Sequence, residues 1–433
     1  MCLPRVDPVQ TAVKSPSLVF SISPTALLLG IGLIALNMTN IMGTVAAAVF
    51  LVACMGAVAL KPQRVLTDAR MAIWLWVFVV WCIISTIWSG MPSLTFRYAI
   101  QLGLTFALAI SAATRISLTS LLRVLLVTGF ITGLLCLMLN RVNAGGAWAG
   151  IFGSKNALAQ FATLNVLVGF AALLDIRTPR PWRLLATFVL CLGALLLVSA
   201  DSMGALLATM MACVLMLILS MLHFARASFR TLLGALAVLL VLGTTFLIMS
   251  NFEIFSLLIL DLTGKDVTLT GRTVLWDIAF DEIAKYPLLG QGYKGFWVPG
   301  NPIAEELWDE FGIVSKQGFH FHNTLISNAV EIGLIGIALQ AGLFFFGCFV
   351  LVRRSILKPS AETLFLAGLM ARQFVLMNSE VVFFSHFHAV SLLTVMAIVY
   401  AIRMTKAEAL QHTKRHLSVP RDPLVLPTKW QST

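Results

Sequence analysis

Twelve separate apolar runs, near residues 19–37, 41–60, 72–89, 98–113, 119–140, 157–174, 184–200, 204–222, 231–249, 326–350, 363–378 and 389–402, leave this chain few ways to fold. Most of them reach or approach the roughly 20 residues that a helix needs to cross the hydrocarbon of a bilayer. The runs near 98–113, 363–378 and 389–402 are short and must recruit flanking residues. Of the 433 residues, 59% are hydrophobic and 11% charged, whereas soluble domains carry about 25% charged residues. Such a chain cannot cover a water-facing surface. The expected fold class is therefore all-α, a polytopic integral membrane protein of about 12 transmembrane helices with one large loop.

The net charge of +11 does not point to nucleic acid, because the basic residues are strung along short loops with no aromatic-interleaved patch. They alternate sides. Arg5 and Lys14, the Lys61–Arg70 loop, Arg115 and Arg123, the Arg177–Arg183 loop, Arg226 and Arg230, the Arg353–Lys358 loop and the tail from Arg403 place 21 of the 30 Lys and Arg on one face. The positive-inside rule makes that face cytoplasmic. The expected division is a cytoplasmic N-terminus at 1–18, transmembrane helices 1–9 at 19–249, a large outer loop at 250–325, helices 10–12 at 326–402 and a cytoplasmic tail at 403–433. The first run follows basic residues without a small-residue cleavage site, so an uncleaved helix is expected. Six of the seven cysteines lie inside apolar runs without CxxC spacing, which argues against a disulfide or zinc framework. No repeat of fixed period supports an inverted-repeat transporter.

The outer face holds the unusual residues. Between Gly271 and Trp297, Val274, Leu275, Ile278, Ile283 and Ala284 follow helical spacing with charged residues between them. The spacing predicts an amphipathic helix near the membrane surface, ended by Pro287. Free backbone N–H groups in its first turn, beside Arg272, favour an anion. His322 and Asn323 precede the next membrane helix, where Asn323 or Thr324 can serve as N-cap. Glu331 lies about two turns inside, at a depth where an ionisable residue suggests function. Arg97, Lys155 beside Asn156, and Arg372 are further cations at or below the outer interface. Pairing with Asp201, Glu331 or Glu380 explains any one of them, but four or five together favour an anionic ligand. Gly290, Gly292 and Gly295 satisfy GxGxxG without a βαβ context and read as turn glycines. His320–Phe–His322 and His386–Phe–His388 imitate a metal site with Glu380, but ligand-spacing and outer-shell cues are lacking and no metal is expected.

Four segments in this order, WSGMPSLTFR (88–97), GIFGSKNALAQ (150–160), GRTVLWDIAFDEIAKYPLLGQGYKGFW (271–297) and HNTLISNAVEIGLIG (322–336), resemble the O-antigen ligase and Wzy-type polysaccharide polymerase superfamily of bacterial inner membranes, over roughly residues 70 to 350. The second and third look most like its ExoQ-like exopolysaccharide polymerase branch. The resemblance implies a periplasmic loop and transfer of a glycan from an undecaprenyl-diphosphate carrier to a sugar hydroxyl, with inversion and without metal, nucleotide sugar or other cofactor. It implies that Arg272 binds the diphosphate with help from Arg97 and Lys155, and that His322 orients or deprotonates the acceptor. Arg372 is matched only by its position after the loop. Asn156 and Glu331 are taken as substrate-binding neighbours. The implied partners are the lipid-linked oligosaccharide, membrane lipid, a chain-length regulator and a flippase. An O-antigen ligase acting on lipid A core, a lipid-linked oligosaccharide flippase or other transporter, and a structural scaffold remain the alternatives.

Overall fold

The structure is a computed structural model that describes residues 23–142, 145–251, 254, 270–316 and 318–418. The expected N-terminal region 1–18, the stretch 255–269 of the long loop and the tail beyond 418 lie outside the described residues. The described chain is helical: α1 (Pro24–Asn37), α2 (Thr39–Met42), α3 (Thr44–Ala59), α4 (Val65–Met71), α5 (Ile73–Ile84), α6 (Pro92–Arg115), α7 (Leu118–Met138), α8 (Lys155–Leu174), α9 (Arg180–Ser199), α10 (Met203–Met221), α11 (Ala227–Ser250), α12 (Thr270–Lys285), α13 (Pro302–Glu310), α14 (Thr324–Leu357), α15 (Ala361–Leu376) and α16 (Ala389–Ser418). No β-strand occurs among the described residues, only an isolated bridge between Val142 and Trp148.

Every apolar run of the sequence lies on a helix, yet eight of these helices are long and apolar enough to cross a membrane, or nine if the pair bent by 79° at residues 60–61 counts as one span. Length explains the difference from twelve. At about 1.5 Å per residue, the 14 residues of α1 reach about 21 Å of the roughly 30 Å hydrocarbon core. Residues 19–22 of that run are outside the described residues. α6 gains its 24 residues by recruiting Pro92–Arg97, with Pro92 preorganising the first turn. α15 has only 16 residues and is buried almost all round, including Arg372 and Gln373. A helix apolar on every side belongs in the centre of a bundle. The first turns of α16 are equally enclosed, and α15 packs on α10 while α16 packs on α6.

The long loop forms a small core of its own. Leu275 and Ala279 of α12, Phe296, Leu307 and Trp308 of α13, Phe321, and Val330 of α14 pack together. α12 is the expected helix, and its inward face differs from the expected one: Val274 and Ala284 are exposed while Glu282 is buried. α13 has no counterpart in the sequence reading. It starts at Pro302, with Asn301 accepting the Ile303 N–H.

α14 is broken at Gly333, which takes φ 65° and ψ −178°. A break frees backbone groups that must find partners in a lipid environment. The loop from Pro287 to Gly292 supplies them: Gln291 and Gly292 N–H donate to the Val330 and Glu331 carbonyls, and Leu334 N–H donates to Pro287. The Trp81 indole donates to the Ile332 carbonyl at 3.0 Å. The break fixes the GQGYKG turn against Glu331.

Candidate active site

Four segments end on one face of the bundle: the start of α8, the Pro287–Trp297 loop, the start of α14 and residues 377–388 between α15 and α16. The last of these turns into the bundle, burying Val382, Phe383 and Phe384. A buried loop needs internal partners for its backbone. Thr324 N–H donates to the Met377 carbonyl, and Thr324 Oγ1 donates to the Glu380 carbonyl and accepts from Val382 N–H. Gln373 donates to the Val382 carbonyl, Thr105 accepts from Phe387 N–H, and the Tyr293 hydroxyl donates to the Phe384 carbonyl. Asn323 caps α14 by accepting from Leu325 and Ile326 N–H.

Glu380 is where these segments meet. Asn156 Nδ2 donates to its Oε1 at 3.0 Å, and the Ser202 hydroxyl holds Asn156 Oδ1 at 3.3 Å. His320 Nε2 lies 3.3 Å from Glu380 Oε2, and His322 Nδ1 lies 3.9 Å from Oε1. The backbone N–H of His322 donates to His320 Nδ1 at 3.1 Å. With Nδ1 accepting, a neutral His320 carries its proton on Nε2, facing the carboxylate. Burial pushes His320 below its ordinary value and holds it in that form. Burial alone would raise the Glu380 carboxyl, but hydrogen bonding to His320 and His322 outweighs it and brings the group down to about 2. His322 adopts φ 50°, a left-handed conformation uncommon outside glycine and often retained at functional sites.

Two guanidinium groups act on the same carboxylate. Arg272, in the first turn of α12, is pulled below its ordinary value by burial and drawn back up by Glu380. Arg372 is wholly buried and within electrostatic reach of Glu380. Its Nη1 bonds Gln373, while Nε and Nη2 have no hydrogen-bond partner among the described residues.

Beside this group, Lys294 at φ 56° sets Nζ 3.3 Å and its backbone N–H 3.2 Å from Glu331 Oε2. His386 stacks on Tyr98 at 4.5 Å, and Arg97 lies 6.0 Å from the Tyr98 ring centre. Burial, followed by neighbouring positive charges that include Lys294, lowers His386 to about 3 and His388 to about 4. Lys294 also opposes protonation of His320, so its charge joins the two halves of the site.

Arg272, Arg372 and Lys294 thus share two carboxylates, Glu331 and Glu380, and Arg97 adds a fourth cation on the His386 side, an excess of positive charge at a partly desolvated boundary. Such a site favours an anion. His320, His322 and Glu380 place their ligand atoms within 4.8 Å of one another, a donor set able to hold a divalent cation. The neighbouring guanidiniums and Lys294 oppose one, and the His320 Nε2 proton already faces the carboxylate.

Of the residues singled out in the sequence, Arg272, His322, Asn156 and Arg372 gather around Glu380. Lys155 is next to Asn156, and its Nζ donates to the Asp201 carbonyl at 3.3 Å. Arg97 stands on the His386 side. Glu331 is paired, with Lys294 rather than with Arg97, Lys155 or Arg372. Sequence reasoning passed over Lys294 as part of a glycine turn, and Glu380, His320, His386 and His388 as counter-charge or metal imitation. For Glu380, His386 and His388 the signal was the run NSEVVFFSHFH (378–388), whose acid and two histidines stand between two apolar helices.

Residues 186–341 match the Wzy_C family, described as O-Antigen ligase. Over 337 residues, covering 76% of this chain and 77% of the relative, the chain is 30% identical to "Exopolysaccharide production protein ExoQ" of Rhizobium meliloti (strain 1021).

Proposed function

Because the chain belongs to the ExoQ-like O-antigen ligase/Wzy superfamily, and is thus a multi-pass membrane glycosyltransferase of the polymerase or ligase type, we propose that it polymerises exopolysaccharide repeat units from an undecaprenyl-diphosphate carrier. The observation that carries this reading is the gathering of Arg272 and Arg372 around the His322–Glu380 pair, with Lys294 and Arg97 beside it on the His386 side.

In the proposed reaction the acceptor hydroxyl oxygen attacks the anomeric carbon of the donor glycan. The bond from that carbon to the diphosphate breaks, and its electron pair leaves with undecaprenyl diphosphate. Negative charge grows on the leaving group, so preorganised arginines stabilise the transition state more than the ground state. His322, with Nδ1–H toward Glu380, presents its Nε2 lone pair to the hydroxyl and takes the proton. His320 and Asn156 hold Glu380 in place. A single displacement inverts the anomeric centre, and the cationic side chains supply the charge stabilisation that a metal ion provides elsewhere. Asn156, Lys155 and Glu331 act in substrate binding, Glu331 by holding Lys294.

The positive-inside pattern supports a site facing the periplasm of a bacterial inner membrane, with both termini cytoplasmic. A flippase would then supply the lipid-linked units, and a chain-length regulator would act beside the polymerase. The family description of residues 186–341 favours a second reading, an O-antigen ligase whose acceptor is lipid A core. In cells, Arg272→Ala should lower turnover by about 10²–10³-fold and His322→Ala by about 10²–10⁴-fold. Both should accumulate single lipid-linked repeat units and lose long polymer. Normal polymer length in both variants would defeat these roles, and transfer to lipid A core by the purified protein would select the ligase.

A further inference from the structure

At the far end of α14 from Thr324, two cavities adjoin and share one wall residue, Leu357. The first, about 820 Å³, is a slot between α11, α14 and α15 walled by side chains such as Leu239, Leu242, Phe345, Phe349 and Phe374. Its volume lies within the range of pockets that bury whole small ligands. The second, about 540 Å³, shares Leu357 with the slot and is lined by Arg177, Arg230 and Lys358. Arg230 is followed by Thr231 of the slot, and Lys358 follows Leu357, so the apolar wall passes into the cationic cup within one residue on two helices. The cup contains one carboxylate, Asp175, which is engaged by the Arg177 guanidinium at 2.9 Å and by the Ala361 N–H at 2.9 Å. Arg177 is thereby paired, and Arg230 and Lys358 are the other charged residues lining the cup.

We infer that the slot and cup together bind one anionic phospholipid, with its hydrocarbon between α11 and α14 and its phosphate against Arg230 and Lys358. A basic cup between transmembrane helices is suited to an acidic lipid headgroup, and an apolar slot leading from it suits the attached chains. The orientation excludes the glycan carrier as occupant. A polyprenyl diphosphate with its phosphates at Arg272 has them on the opposite face, whereas an amphiphile seated here has its charge at the Lys358 end.

The test is native mass spectrometry of the full-length protein released from nanodiscs containing equal phosphatidylglycerol and phosphatidylethanolamine. The wild type should retain one phosphatidylglycerol per chain in preference to phosphatidylethanolamine. The double substitution Arg230→Gln/Lys358→Gln should weaken that retention about thirty-fold, from about one unit of surface-charge attraction lost at each position. Ala235→Trp, which fills the slot and leaves the charges, should also abolish it, whereas Arg64→Gln/Arg70→Gln on the same face should not. Equal retention of the two lipids by the wild type overturns the inference without recourse to any variant. So does a folded Arg230→Gln/Lys358→Gln protein that keeps its phosphatidylglycerol, or displacement of phosphatidylglycerol from the wild type by equimolar undecaprenyl phosphate.

Discussion

Glu380 carries the charge that the site can least do without. Its carboxylate faces His320, His322 and Asn156 and lies within reach of the buried Arg372, so Glu380→Gln would leave a guanidinium uncompensated inside the protein. Arg372 and Glu380 act on each other through space rather than as a contact pair, so the cost stays below the ~3–5 kcal/mol of breaking a buried pair, and the variant should unfold at a lower temperature in detergent. An unchanged melting temperature would show that Arg372 has another counter-charge. The sign of the pH dependence follows from the depressed value. The folded carboxyl stands at about 2 and its ordinary value is 4.5, so its stabilisation is complete above about 4.5 and is lost as pH falls through about 2. Acid unfolding of the wild type should steepen across that window, and Glu380→Gln should lack this component. The sequence singles out Arg272 by its place at the start of an amphipathic helix and His322 by the family resemblance, and the structure brings both near Glu380. Lys294 is not singled out. Its role depends on Glu331, 37 positions away, being brought to it.

The break in α14 does that work at the scale of elements. With φ 65°, Gly333 occupies a region that a side chain rarely adopts, and a Cβ there would overlap the Leu288 carbonyl. Gly290, at φ 67°, packs as tightly on Glu331 and Gly333 from the other side. Gly333→Ala should therefore cost at least about 1–3 kcal/mol for the backbone conformation alone, and should part the Lys294 loop from Glu331. A melting temperature and turnover equal to those of the wild type would contradict this. The sequence carries the helix on both sides of Gly333, since the apolar pattern runs through it, but not the break. A glycine inside an apolar run is common in membrane helices, and the carbonyls that accept from Gln291, Gly292 and Trp81 have no local signature. The buried segment between α15 and α16 was obscured for the same reason. Val382, Phe383 and Phe384 fall between the runs 363–378 and 389–402, and nothing local shows that Thr105, Thr324 and Gln373 hold this stretch as a buried loop.

For the whole molecule, the apolar runs located the long helices, because their hydrophobicity is set by the bilayer rather than by packing, while the short α2, α4 and α13 went unread. The number of complete crossings was less accessible, since α1, α5 and α15 are too short by length alone and α15 is shielded from lipid by its neighbours. The orientation can be measured directly. In a background without native cysteines, Glu306→Cys on α13 should react with a membrane-impermeant maleimide applied to spheroplasts, and Lys406→Cys on α16 only after permeabilisation. The reverse pattern would place the site in the cytoplasm. The account as a whole rests on a covalent step at a cationic site on the Glu306 side. Its most direct test is to incubate the purified protein, in the presence of a chelator, with defined undecaprenyl-diphosphate-linked repeat units and to analyse the glycans. The account predicts chains of two or more repeats with release of undecaprenyl diphosphate, lost in Arg272→Ala. Repeat units recovered covalently unchanged by active wild-type protein would contradict it.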